Sequence, residues 1–251
     1  GINTSATVLI GHWPGSNSFG KLLVEEDGVL NVLNGGVVVG WDSKGIFEVA
    51  GGSVNAKQIH LRNASSELTV SGGELNILEG GTISGSGSFV YSGGTLALGE
   101  GATINTALTL SGNAALVTES TTSVFGGNFS LNLADCVSTT GADGSVVYTV
   151  LTGTGNKDMS ALSLSNITLG TYKMGKTWTF GTDGTISYKV TTKDVVWSEG
   201  ASLSWGATGT AFTTGGDFTN GDNVTISTSA DVTIAEGGVE AVTLVIQGEG
   251  T

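Results

Sequence analysis

The chain has 251 residues, with 42 glycines, a single proline and only 12% charged residues. Its many Val, Ile and Leu residues exclude a disordered chain, and no apolar run approaches the roughly 20 residues of a membrane-spanning helix. The formal net charge of −13, with Arg62 as the one arginine, excludes the clustered basic face on which nucleic-acid binding depends. We therefore expect no nucleic-acid partner and no direct insertion into a membrane.

The alternation of residues indicates the type of secondary structure. Apolar and polar residues alternate, as in LTVSGGELNIL at residues 68–78, and a period of two is typical of β-strands. Cys136 is the one cysteine, so no intrachain disulfide bond can form. No secretory signal peptide is recognisable, which leaves open a mature protein, a recombinant piece or a cytosolic protein. We predict an all-β protein.

A pattern of strand, glycine turn and strand recurs at intervals of about 21 residues. The copies are EEDGVLNV (25–32), VAGGSVNA (49–56), VSGGELNI (70–77), YSGGTLAL (91–98), LSGNAALV (110–117) and FGGNFSLNL (125–133). A fixed period of roughly 20 to 25 residues indicates a solenoid, because one copy cannot bury its apolar face without neighbours. The repeats therefore predict a parallel β-helix with coils of about 21 residues.

The alternation also predicts which side chains lie inside each coil. In the copy at 68–78 the inward set is Leu68, Val70, Leu75 and Ile77, and the outward set is Thr69, Glu74 and Asn76. The glycine pair of each copy belongs at a corner, where glycine accepts a positive φ. Equivalent positions in successive copies hold Asn31, Asn55 and Asn76. We expect their amides to form a hydrogen-bonded ladder along the stack, although a row of ligand-binding amides is the alternative.

The 21-residue repeat becomes indistinct past about residue 135, and the chain is predicted to have three parts. Residues 1–140 are predicted to form the β-solenoid repeats, and residues 141–193 a strand and hairpin segment that closes the first stack. Within it, KTWTFGTDGTISYKV at 176–190 predicts a hairpin with its turn at Asp183-Gly184. Residues 194–251 are predicted to begin a second β-strand repeat module. The chain stops within that pattern, so we expect the module to be truncated.

The block from Trp197 onward resembles the autotransporter-associated β-strand repeat. Its features are Trp197, Trp205, the aromatic residues Phe212 and Phe218, and the segments GDNVTIS, VTI and AVTLVI. The earlier copies, such as GIFEVAGGSVNA, resemble the companion repeats of the same large bacterial surface proteins. The chain departs from the family pattern in two ways. Asp217-Phe218 stands where the family usually has Asn-Trp, and the usual proline is missing.

The resemblance implies a passenger-type region displayed on the outer membrane of a bacterial cell or secreted. Such regions commonly form a parallel β-helix. They mediate adhesion or aggregation, or they act as a stalk. The implied partners are a host glycan, a mucin or a matrix glycoprotein, or a second copy of the protein in self-association. The absence of disulfide bonds is compatible with export of the chain in an unfolded state. A solenoid adds each coil to its neighbour, which is compatible with folding from one end.

Motifs that carry chemistry are present only in weak form. GTYKMGKT at 170–177 matches the phosphate-loop pattern, but a predicted hairpin follows it where the motif requires a helix. The densest acidic run is Glu25-Glu26-Asp27, which fits a solvated corner better than catalytic carboxylates. His12 and His60 lie far apart in sequence with no cysteine nearby, so they do not indicate zinc. We expect no catalytic residues, no metal and no cofactor.

The loop GHWPGSNSFG at residues 11–20 is the strongest candidate for ligand binding. It is longer than the matching GWDSKG at 40–45 and holds the one proline. The candidate ligand-binding residues are His12, Trp13 and Trp41, because exposed tryptophans stack on sugar rings. The alternative is that both tryptophans cap the open end of the core.

Three functions compete at this point. An adhesin should carry exposed aromatic and amide side chains in a row on one face. A structural stalk or spacer without ligand should present a featureless surface of Thr, Ser and Asn. A polysaccharide lyase or hydrolase on a β-helix should gather carboxylates from adjacent coils into a cleft. We predict a non-catalytic adhesin-type segment, with the stalk and the enzyme as alternatives.

Overall fold

The computed structural model describes residues 1–12, 18–170, 173, 175–197, 204–205, 208–209, 212–214, 218–226, 233–234 and 238–247. The fold is a β-solenoid of about nine turns, spaced about 23 residues apart, which confirms the predicted all-β parallel β-helix. Contacts divide the chain into two compact units. The first comprises Gly1–Gly141, Val146–Thr171 and Phe180–Ser187, and the second comprises Ala142–Ser145, Tyr172–Thr179 and Tyr188–Thr251.

Short strands and two long ones build the first part of the chain. They are β1 (Ile2–Thr4), β2 (Val8–Ile10), β3 (Phe19–Val24), β4 (Val29–Val32), β5 (Val37–Val39), β6 (Lys44–Leu61), β7 (Glu67–Gly85), β8 (Ser88–Tyr91), β9 (Thr95–Leu98), β10 (Thr103–Asn105), β11 (Ala107–Gly112), β12 (Leu116–Thr118), β13 (Ser130–Cys136), β14 (Thr139–Thr140), β15 (Val146–Thr149), β16 (Leu151–Gly153) and β17 (Ile167–Thr168). A 3₁₀ turn at Leu164–Asn166 precedes β17.

The later strands are shorter. They are β18 (Lys176–Phe180), β19 (Thr185–Val190), β20 (Asp194–Trp197), β21 (Ser204–Trp205), β22 (Thr208–Gly209), β23 (Phe212–Thr214), β24 (Phe218–Thr219), β25 (Asn223–Ile226), β26 (Thr233–Ile234) and β27 (Thr243–Ile246). No helix among the described residues is long and apolar enough to cross a membrane.

Three series of parallel strands run along the first unit. The first series joins β3, the start of β6, the start of β7, β8, β11, β13 and β17. The second joins β1, β4, the middle of β6, the middle of β7, β9, β12 and β16. The third joins β2, β5, the ends of β6 and β7, and β10. The parallel stack therefore continues beyond residue 140, through β16 and β17.

The core lies between the three series and follows the predicted alternation. In β7 the inward side chains Leu68, Val70, Leu75 and Ile77 are at most 1% exposed. The outward side chains Thr69, Glu74 and Asn76 are half-buried or exposed. Each coil adds a layer of Val, Ile, Leu and Phe to the column, and the hydrophobic effect on that column is the main force that joins the coils.

Glycines fill the corner between the first and second series. A Cβ atom at Gly73 would lie 2.2 Å from the carbonyl oxygen of Gly52, and one at Gly94 would lie 2.5 Å from that of Gly73. The backbone φ is +68° at Gly73 and +80° at Gly94. Successive coils thus approach backbone to backbone at this corner, and only glycine satisfies both the spacing and the conformation.

Between β13 and β16 the chain contains an insertion in which β14 and β15 pair antiparallel, while β16 and β17 continue the parallel stack. The predicted hairpin at 176–190 is present as β18 and β19, which neighbour each other in one sheet. Its connection is the four residues Gly181–Gly184, longer than the predicted two-residue turn. The Oδ1 atom of Asp183 accepts hydrogen bonds from the backbone N–H and hydroxyl of Thr185, and Gly184 has a φ of +89°.

The second unit has its own aromatic core. Its buried side chains are Val195, Trp197, Phe212, Phe218, Val224 and Ile226. The ring centres of Trp197 and Phe212 lie 5.2 Å apart at 81°, an edge-to-face arrangement that aromatic pairs favour. Strands β20, β25 and β27 pair in parallel, so this unit also stacks its strands coil on coil. The residues that carry the family resemblance include those that form this core.

Candidate functional site

The outward side of the third series carries a row of polar side chains. Pairing places His60 of β6 beside Ser84 of β7, and Ser84 beside Asn105 of β10. The residue before each of them, Ile59, Ile83 or Ile104, is fully buried, so alternation directs the polar residue outward. The Nδ1 atom of His60 lies 3.2 Å from the Oγ atom of Ser84. We call the outward side of this series the third face.

A column of three ring or planar side chains lies at the corner where the third series ends. His12, Trp41 and Arg62 each follow the end of their strand, in β2, β5 and β6. The guanidinium carbon of Arg62 lies 4.1 Å from the centre of the Trp41 ring, within cation–π range. The rings of His12 and Trp41 lie 6.1 Å apart, edge to face. The Nδ1 atom of His12 lies 3.1 Å from the Oδ2 atom of Asp42.

The row and Arg62 of the column line an open groove on the first unit. Its lining consists of His60, Arg62, Ser84, Gly85, Ser86, Asn105 and Asn128. These residues come from four stretches of chain that the parallel register brings together. None of the lining residues is acidic, although the chain has a net charge of −13. The groove is therefore a locally basic and amide-rich place on an acidic protein.

Backbone contacts fix the asparagine end of the groove. The Oδ1 atom of Asn105 accepts a hydrogen bond of 2.8 Å from the backbone N–H of Asn128. A Cβ atom at Gly126 would lie 2.7 Å from the Cβ atom of Asn105, so glycine makes room for this side chain. With its oxygen held in this way, the Asn105 amide directs its NH₂ donors away from that contact.

A serine next to a histidine also occurs in nucleophilic catalysis, which requires further groups around the pair. Activation of Ser84 by His60 would require a third group to orient the ring, and donors that stabilise an oxyanion. None of the ion pairs among the described residues includes His60. The part of the chain that the structure describes also contains no group of three His, Cys, Asp or Glu residues placed to hold a metal. The arrangement is suited to hydrogen bonding.

The second face, the outward side of the second series, carries the predicted asparagine ladder. Asn31 donates its amide to Asn3, Asn55 donates to Asn31 at 2.7 Å, and Asn76 donates to Asn55 at 3.0 Å. Asn31 and Asn55 thus each donate a hydrogen bond to the preceding coil and accept one from the following coil. This arrangement confirms the ladder and leaves its amides less available to a ligand.

The first face, the outward side of the first series, carries ion pairs. The Nζ atom of Lys21 lies 2.7 Å from the Oε2 atom of Glu48, and the Nζ atom of Lys44 lies 2.6 Å from the Oε1 atom of Glu67. Both pairs join neighbouring coils and are partly exposed to solvent, so each contributes little to stability. These four charged groups are paired with one another, whereas Arg62 on the groove has no such partner among the described residues.

The residues singled out from the sequence have different outcomes. Trp13 lies outside the described residues. His12 and Trp41 do come together, and Trp41 is half-buried at the corner column with Arg62 over its ring. Sequence reasoning did not select His60 or Arg62 as site residues. The signal for them was the alternation itself, because His60 and Arg62 flank the buried Leu61 on the outward side of β6.

Two other groups have surroundings that indicate a structural role. Burial, and to a smaller extent the nearby charge of Asp135, raises the pKa of the Cys136 thiol to about 11, which disfavours the reactive thiolate. Lys176 of the phosphate-loop pattern lies in β18, with its ammonium 4.7 Å from the centre of the Tyr188 ring. A strand thus occupies the place where a phosphate loop needs a helix.

Comparison with known proteins adds no relative: no family model matches the chain, and neither the curated proteins nor the solved structures include a match. The resemblance to autotransporter-associated repeats accordingly remains a prediction from the residues that carry it. The candidate site stands on the geometry of the third face.

Proposed function

We propose that this chain is a non-catalytic β-solenoid segment of a large bacterial surface or secreted protein, and that it binds glycans through the groove on the third face. The observation that carries the proposal is the lining of that groove. A histidine, an arginine, two serines and two asparagines from successive coils converge on it, next to a tryptophan. The adhesin hypothesis called for exposed aromatic and amide side chains in a row on one face, and the lining supplies the amides of that set.

The chemistry of the lining suits sugars. A sugar presents hydroxyl groups that both donate and accept hydrogen bonds, and Asn, Ser and His side chains do the same. Strands β6, β7 and β10 position His60, Ser84 and Asn105, so little conformational entropy of these three is lost when a ligand binds. The groove is open along the third face, which accommodates a chain of sugars better than an enclosed small molecule. Host glycans, mucins and matrix glycoproteins are the proposed partners.

A surface setting is supported by the character of the chain and by the resemblance. The solenoid stacks coil on coil and contains one cysteine, features that fit export followed by folding from one end. The net charge of −13 disfavours adhesion to anionic surfaces in general, so recognition would depend on local chemistry in the groove. Localisation at the cell surface is part of the proposal.

The stalk is the second candidate, and a specific observation favours it. On the second face the asparagine amides are bonded to one another, and on the first face two lysines are paired with glutamates. Both features satisfy polar groups within the solenoid and leave them unavailable to a partner. The two candidates therefore differ at the third face alone among the three faces described.

The test is binding of the purified chain to a broad glycan and mucin panel, with and without calcium. We expect saturable binding that Asn105→Ala and His60→Ala each weaken. Asn76→Ala is the matched control, since it removes a half-buried outward amide from the second face. Binding that is lost only with the third-face variants supports the proposal. Absence of binding in every condition would assign the chain to the stalk, and self-association measured by sedimentation would identify a stalk that joins copies.

A further inference from the structure

Arg62 differs in its surroundings from the four lysines that pair with a carboxylate among the described residues. The Nζ atoms of Lys21, Lys44 and Lys189 each lie within 3 Å of a carboxylate oxygen. The Nζ atom of Lys193 lies 4.0 Å from the Oδ2 atom of Asp222. No Asp or Glu among the described residues pairs with Arg62, although the chain has 22 acidic residues. Instead its guanidinium lies over Trp41, and Arg62 itself lines a groove whose lining contains no carboxylate. An exposed arginine so placed is free to receive an acid from outside the chain.

We propose that the groove selects sugars that bear a carboxylate, with Arg62 as the residue that binds the carboxylate and Trp41 as its positioning residue. This inference rests on the proposed function and names the ligand class for the same groove. Terminal sialic acids and uronic acids are the sugars with this chemistry.

The geometry of the guanidinium suits a carboxylate. Arginine presents its N–H donors in a planar fork that binds the two oxygens of a carboxylate in parallel. Contact with the Trp41 ring restricts the motion of the long side chain without consuming these donors as a carboxylate would. Because the guanidinium is already held, less entropy is lost when the acid binds.

The remaining groups on the groove suit the rest of such a sugar. Asn105, with its oxygen held by the backbone of Asn128, offers amide donors, and Ser86 and Asn128 are exposed beside it. These neutral groups can bind hydroxyl or acetamido substituents. The site therefore pairs one cation with several neutral hydrogen-bonding groups, which matches a sugar with one negative charge better than a polyanion.

The net charge of the chain does not oppose this selection. At physiological ionic strength, charges separated by more than about 8 Å are largely screened. A sugar with one carboxylate in the groove meets Arg62 directly, whereas a heavily sulfated chain extends over the acidic surface around it. We therefore expect a single-carboxylate sugar to bind more tightly than a sulfated polymer.

The experiment uses matched pairs of ligands on the whole chain. Sialyl and glucuronyl oligosaccharides are titrated calorimetrically, each as the free acid and as the methyl ester, which differs only in lacking the charge. A neutral oligosaccharide and heparin complete the set. At least one acid is expected to bind about tenfold or more tightly than its ester, because hydrogen bonds between charged partners are worth roughly twice those between neutral ones. Added NaCl should weaken binding of the acid more than that of the ester.

Variants identify the residue responsible. Arg62→Gln is expected to abolish the preference for acid over ester, and Arg62→Lys to retain only part of it, since lysine lacks the fork. Trp41→Leu should reduce the preference with less effect on binding of the ester, which a general structural defect would not do. Lys21→Gln removes the same charge from the first face and should leave the preference unchanged.

Each outcome decides between the claims. Equal binding of acid and ester in both pairs, or binding of neutral sugars alone, would overturn the acidic-sugar proposal and leave glycan binding standing. Tighter binding of heparin than of either oligosaccharide acid would replace it with general attraction of anions. Absence of binding to every sugar would overturn both the inference and the proposed function.

Discussion

The guanidinium of Arg62 lies 4.1 Å from the centre of the Trp41 ring, and the two residues belong to neighbouring coils of the solenoid. They are brought together by the pairing of β5 with β6, where Val39 lies beside Leu61. Such a contact at an exposed site contributes about 0.5–1 kcal/mol. The contact therefore contributes little to the free energy of unfolding. Its larger consequence is that it holds the Arg62 guanidinium in position at the groove.

Removal of Arg62 should leave the fold intact. We expect Arg62→Gln to lower the free energy of unfolding by less than about 1 kcal/mol, because the residue is exposed and makes one ring contact. Chemical denaturation followed by circular dichroism measures this change. A loss of several kcal/mol would show that Arg62 supports the corner itself, and its variants would then say little about ligand binding.

The glycine corner should tolerate substitution in a graded way. Gly73→Ala is expected to cost more than about 2 kcal/mol, because it adds a backbone clash to a positive φ. Gly80 has a φ of +63° but no atom within 4 Å of a built Cβ, so Gly80→Ala should cost about 1 kcal/mol. Gly127→Ala, with neither feature, is the control. Similar losses at all three sites would contradict the close approach of coils at Gly73.

The asparagine ladder should show a difference between its interior and its end. Asn55 both donates to Asn31 and accepts from Asn76, whereas Asn3 takes part in one ladder bond. We expect Asn55→Ala to cost about 1–2 kcal/mol and Asn3→Ala about half as much, since a net hydrogen bond is worth about 1 kcal/mol. Thermal unfolding of the two variants provides the comparison. Equal effects would remove the ladder from the description of stability.

Acid should weaken a contact between coils at Glu100. The hydroxyl and then the backbone N–H of Thr121 donate hydrogen bonds to its carboxylate and lower the pKa of Glu100 below its usual 4.5. A carboxyl group whose pKa is lower in the folded chain stabilises the fold above its unfolded pKa, and this contribution disappears as the pH falls through the folded pKa.

The corresponding measurement is the melting temperature between pH 6 and pH 3. We expect Glu100→Gln to melt lower than the unaltered chain at pH 6 and to lose less stability on acidification. Glu79→Gln, which removes an exposed carboxylate on the preceding coil, controls for the change in net charge. If both variants respond to acid as the unaltered chain does, the Thr121 contact has no role in the pH dependence.

Much of the fold follows from the sequence because one residue pattern governs both strand direction and burial. The alternation in 68–78 determined which side chains are buried, and the repeated asparagine predicted the ladder. The coil length was less regular than predicted. Successive ladder bonds span 28, 24 and 21 residues, so the 21-residue interval applies to the central coils. Loops of different length between strands account for the variation.

The groove was harder to predict because it depends on register across several coils. His60, Ser84 and Asn105 lie side by side only if the third series pairs as it does, and loop length sets that pairing. Trp41 is recognisable as a candidate because it is a tryptophan, but its distance from Arg62 depends on the pairing of β5 with β6. Residues that look isolated in sequence become neighbours when coils stack.

Nuclear magnetic resonance can show whether glycans bind in the groove of the third face, because it maps binding onto individual backbone amides. An isotopically labelled sample is titrated with the panel sugar that binds most tightly, and amide shifts are followed along the chain. We expect the largest shifts at His60, Arg62, Ser84, Ser86 and Asn105 on the third face. Shifts centred on Asn31, Asn55 and Asn76 of the second face, or no shifts with any sugar, would contradict this expectation.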